Sequence, residues 1–84
     1  MENITVDIII SGNSYTLTTN DVIRKAASFK PDPISIYYCK LANKQYPPKQ
    51  IVSIATGLGK SEFTTATAIN ILKRLGIEIF NKNE

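Results

Sequence analysis

The residues of this chain best suited to chemistry lie between Tyr46 and Gly76, in YPPKQIVSIATGLGKSEFTTATAINILKRLG. Gly57-Leu58-Gly59-Lys60-Ser61 ends as a nucleotide-binding loop ends, with glycine, lysine and a hydroxyl. In G-x-x-x-x-G-K-[ST] the first glycine would fall at position 54, which is Ile54. That loop also needs a strand before it, and here a helical pattern precedes it. Nucleotide hydrolysis is therefore not expected. A weaker capacity survives: free N–H groups and a lysine near a helix start can hold one phosphate. The same residues would equally make an ordinary helix–helix connection.

Lys49 is the second candidate. It follows Pro47-Pro48, so it falls at a helix start, where the positive end of the dipole gains nothing from another cation. Thr64, Thr65 and Thr67 cluster at the next helix start, and capping accounts for one of them. Lys44, Lys49, Lys60, Ser61, Thr64 and Thr65 are thus the residues expected to contact phosphates. Tyr15, Tyr37, Tyr38 and Tyr46 read as core or sheet-edge residues rather than as platforms for stacked bases.

No catalytic set accompanies them. The chain has no histidine, which excludes imidazole acid–base chemistry and imidazole metal sites. One cysteine cannot build a thiolate zinc site. The seven acidic residues are scattered, with no pair spaced for general acid–base work and no cluster for Mg²⁺. The expectation is a protein that is not an enzyme and needs no cofactor or metal.

The elements that must position these residues follow from periodicity. Ile4, Val6, Ile8 and Ile10 alternate along one strand face, Ser11-Gly12-Asn13-Ser14 turns the chain, and Tyr15 to Thr18 resumes the alternation, which predicts a hairpin. Thr19, Asn20 and Asp21 open a short helix over about Asp21 to Phe29, ended by Pro31 and Pro33. Ile34 to Leu41 predicts a strand apolar on both faces. Ala42-Asn43-Lys44 turns it, and Gln45-Tyr46 makes a short return. Pro47 and Pro48 suit a first helical turn, and Gly57 suits the C-terminal cap. Thr64 caps the next helix, with Phe63 packed back on it and Gly76 ending it. Ile77 to Phe80 alternates again as a last strand. The order β-β-α-β-β-α-α-β predicts one α+β domain over residues 1–84: a small, mainly antiparallel sheet with about three helices on one face.

Composition agrees with that scale. The chain has 84 residues, of which 43% are hydrophobic and 20% charged, an ordinary globular mix. Cys39 sits inside an apolar run and reads as a small buried hydrophobe in a reducing compartment. No stretch approaches the roughly 20 apolar residues of a membrane span. MENITVDIII lacks the basic start and small-residue cleavage site of a signal peptide, so the expected location is cytoplasmic, with no membrane partner. The net charge is +3, and between Asp32 and Glu62 there are lysines (Lys40, Lys44, Lys49, Lys60) but no acid. A phosphate-facing surface would need such an excess, although a solvated surface would also show it.

The run I-x-Y-Y-x-x-L-x-N-K-x-Y-P-P-K-x-I-V-x-x-A-T-G, followed by F-T-T and I-L-K-R-L-G-I, resembles the small N-terminal head domain of McrA-type, modification-dependent HNH restriction endonucleases of the ScoMcrA-like group. The likeness covers about residues 36–79. Tyr46, Lys49, Phe63 and Gly76 match that pattern by position. Thr64-Thr65 replace the glycines that follow the phenylalanine, and Asn43 replaces the turn glycine. The nuclease and modified-base-reading domains have no counterpart here. The resemblance implies a DNA-associated accessory module in a prokaryotic or phage defence or anti-defence setting, without cleavage. The competing expectation is a phage-encoded inhibitor that binds a host restriction or CRISPR effector as a protein. A third is a homodimer paired through a strand edge at Ile77 to Phe80.

Overall fold

The computed structural model describes residues 2–83. The elements are β1 (Thr5–Ile10), β2 (Asn13–Thr18), α1 (Thr19–Ala26), β3 (Tyr37–Leu41), β4 (Lys44–Tyr46), α2 (Pro48–Thr56), a 3₁₀ turn (Lys60–Glu62), α3 (Thr65–Arg74) and β5 (Phe80–Asn81). This is the α+β order that the periodicity predicts. The single sheet is not: β1 and β2 form one antiparallel hairpin, and β4-β3-β5 form a separate three-stranded antiparallel sheet.

β1 alternates as its sequence requires, with Val6, Ile8 and Ile10 buried and Ile9 exposed. Its partner contributes Leu17, and the two pair from Thr5–Thr18 to Ile10–Asn13. Together with Cys39, Leu41 and Tyr46 of the second sheet and the inward stripes of the three helices, they make one core. Burial pushes the Cys39 thiol up to about 12, so it is a neutral packing group at physiological pH.

The first helix, the strand before the β3–β4 turn and the last strand differ in extent from expectation, each for a tertiary reason. The first helix starts at Thr19, capped by the Thr18 hydroxyl, which accepts from the Asp21 N–H at 3.2 Å. Thr19 is fully buried; its hydroxyl donates to the Leu75 carbonyl (2.7 Å) and accepts from the Ile4 N–H (3.0 Å), tying the first strand to the end of α3. The helix stops at Ala26 because the Tyr46 hydroxyl lies 2.7 Å from the Ala26 carbonyl and 2.9 Å from that of Phe29, its one proton shared between them. The expected strand from Ile34 is assigned only from Tyr37, although the Ile36 carbonyl still accepts the Lys82 N–H (2.7 Å); Pro33, without an N–H, cannot donate to a ladder before it. The last strand shrinks to Phe80–Asn81. Gly76, at φ +77°, closes α3 in a Schellman motif: the Ile77 N–H goes to Leu72 and the Gly76 N–H to Lys73. Ile77 is buried by that closure rather than by a strand.

Among the described residues no helix is long and apolar enough to cross a membrane.

Candidate functional site

α2 starts without a side-chain cap. Pro47 occupies the cap position, Pro48 follows, and Lys49 stands in the first turn. The Gly57 residue expected to end this helix does so at φ +80°, donating its N–H to Ser53. Ser53 and Thr56 then fix the exit: the Ser53 hydroxyl donates to the Leu58 carbonyl (2.6 Å), and Thr56 accepts the Leu58 N–H (3.2 Å). The chain makes its 3₁₀ turn and enters α3, whose cap is Thr64, accepting from the Thr67 N–H at 3.1 Å. The starts of α2 and α3 come together in this way.

Between them lies an open hollow of about 340 Å³. The start of α2 contributes Pro47, Pro48 and Lys49, and α3 contributes Thr65. The stretch leading into β3 contributes Pro33, Ser35, Ile36 and Tyr37. Ile36 and Tyr37 are 46% and 38% exposed, so the rim is apolar and open. Among the described residues no carboxylate lines it. The Lys49 ammonium lies 6.0 Å from the ring centroid of buried Phe63, at the outer limit of a cation–π contact, and among the described residues no acid pairs with it.

The other expected residues fare differently. Lys60 forms an ion pair with Asp32, which the fold returns to it from 28 residues away. Asp32 is positioned by Gln50, a buried side chain of α2: its Oε1 accepts the Asp32 N–H (2.8 Å) and its Nε2 donates to the Lys30 carbonyl (2.9 Å). Ser61 is exposed in the same turn as Lys60. Lys44 lies elsewhere, at the β3–β4 turn, where its ammonium donates to the Ala27 carbonyl at the C-terminal end of α1 (3.3 Å). That is a favourable place for a cation. Ala42 and Asn43 make the turn with φ of +52° and +63°, so asparagine takes the left-handed position the turn needs. Of the six residues, the structure brings Lys49 and Thr65 to one hollow, while Thr64 is taken up as the cap of α3.

Pro33, Ile36, Tyr37, Asp32 and Gln50 were not among the expected site residues. Gln50 carried a signal, being polar within the apolar turn of α2. The others take their role only from the path of the chain.

A family model described as SCO5918-like matches residues 6–84. The chain belongs to the SCO5918-like family. The match takes in the hollow, Gln50 and the Asp32–Lys60 pair, so the whole arrangement lies within the SCO5918-like domain. No curated protein and no solved structure matches the chain.

Proposed function

We propose that this SCO5918-like domain is a non-enzymatic nucleic-acid-binding module that contacts the phosphate backbone through Lys49 and Thr65. The observation that carries the reading is the hollow itself. An ammonium that no acid among the described residues pairs, a threonine hydroxyl and the uncapped start of α2 meet at a surface in whose wall the described residues place no carboxylate. Such a surface attracts phosphate without reading sequence. Lys60 contributes little while Asp32 holds it, and Lys44 is a peripheral contact. The resemblance to McrA-type head domains supports a DNA partner and a defence or anti-defence setting.

The test is a mobility-shift titration at low salt with duplex and single-stranded DNA, using the wild type and Lys49→Ala. Salt-sensitive binding weakened by the substitution is expected. No shift with any DNA at low salt would overturn the proposal.

One observation favours a second reading, in which the domain binds a host defence protein. The walls of the hollow are mostly apolar, and Ile36 and Tyr37 expose large side chains beside it. In that case a partner would be lost on Ile36→Asp but retained on Lys49→Ala.

A further inference from the structure

Phosphate contact alone does not explain the shape of the hollow. A backbone-tracking surface needs cations and donors; it does not need a recess of about 340 Å³ walled by prolines and aliphatic carbons. That volume is within the roughly 300–1,000 Å³ of small-ligand sites. Its aromatic wall is Tyr37, which belongs to β3 through its backbone pairing with Asn81, so the ring is carried on a fixed strand. Tyr37 is 38% exposed and is not among the residues of the core, so the side chain is not committed to it. Pro33 and Pro47 give the recess flat, rigid apolar walls. Lys49 and Thr65 are the charged and hydroxyl groups of the same recess.

We infer that the hollow receives one unpaired nucleotide, its base stacked on Tyr37 against the proline walls and its phosphate held by Lys49 and Thr65. The inference rests on the nucleic-acid reading above and narrows it to single-stranded or locally unpaired substrate. Charge selects the occupant: a recess with one ammonium and no acid among the described residues suits a flat aromatic body carrying an anion, which is what a nucleotide is. A paired base cannot reach a recess of this kind, because its faces are covered by its neighbours in the stack. Ser35, at the wall, offers a hydroxyl to a base edge.

Fluorescence anisotropy separates this inference from the reading beneath it. The probes are a labelled single strand of mixed sequence, its duplex, and the same single strand carrying abasic positions. The intact single strand is expected to bind more tightly than the duplex or the abasic strand. Tyr37→Ala should weaken the intact strand roughly 5- to 150-fold, the range for losing one stacked base, while Tyr37→Phe retains binding. The salt dependence should stay unchanged in Tyr37→Ala and become shallower in Lys49→Ala, because only the second removes a phosphate contact. Because Tyr37 is exposed, these variants should fold, and a circular dichroism melt checks it. If the duplex binds as tightly as the single strand, or the abasic strand as tightly as the intact one, the stacking inference is overturned while salt-sensitive binding through Lys49 still stands. If no probe binds, both are overturned.

Discussion

Lys49 and Lys60 stand at matching places and in opposite states. Each stands at the beginning of a short helical element, one in the first turn of α2 and the other in the 3₁₀ turn before α3. Lys60 is neutralised by Asp32, whereas Lys49 has the face of Phe63 beneath it and no acid partner among the described residues. In sequence both belong to a stretch without acids, and both look like parts of one positive surface. Among the described residues the fold brings an acid back to one and not to the other. Local charge counting therefore measures what a segment carries, not the field it presents.

The largest way to disturb this contrast is through Gln50, which holds the loop that carries Asp32. Gln50→Leu keeps the bulk but leaves the Asp32 N–H and the Lys30 carbonyl without partners. The expected loss is about 1–3 kcal/mol, the usual cost of part-buried groups left unsatisfied. For a domain of this size, each kcal/mol lowers Tm by about 4–8 °C. Thermal unfolding followed by circular dichroism measures it. An unchanged Tm would show that the loop is held by its prolines alone, and that the Asp32–Lys60 pair does not depend on α2.

The second effect is on binding. Lys49→Ala removes the unpaired charge, so the slope of log K against log salt should fall in magnitude by about 0.9 for duplex and about 0.7 for a single strand. Lys44→Ala and Lys60→Ala should each change it less. If Lys44 or Lys60 gives the larger change, the phosphate path runs over the β3–β4 turn or past the 3₁₀ turn, and the hollow is not its centre.

What was legible in the sequence divides along the same line. The hairpin, the three helices and their caps at Gly57, Thr64 and Gly76 are local chemistry: alternation, missing donors, left-handed turns. The caps of α2 and α3 stand where the sequence puts them, and only the ends of α1 shift. The split into two sheets was not legible, because strand alternation says which face is buried and not which strand is the neighbour. Ile77-Glu78-Ile79-Phe80 shows this most clearly. Its alternation reads as a strand, but the Ile77 N–H is spent closing α3, and pairing with β3 begins only at Phe80. That leaves a short edge for the self-association considered from the sequence. Lys49 was legible as a cation at an unfavourable helix position. The hollow around it was not, since its walls come from three separate segments.

The smallest predicted effect is the sharpest test of the comparison. Asp32→Asn keeps the backbone N–H that Gln50 accepts and removes only the charge that neutralises Lys60. The pair is half-exposed, so its loss should cost less than about 1 kcal/mol in stability and barely move a urea midpoint. Binding should respond in the opposite direction. With Lys60 freed, low-salt affinity for DNA should rise about two- to fivefold and the salt slope should steepen, because a second cation can now displace a counterion. The double variant Asp32→Asn, Lys60→Ala should return to wild-type affinity. If Asp32→Asn leaves affinity and slope unchanged, Lys60 points away from the nucleic acid even when free. The difference between the two lysines would then be one of direction rather than of charge.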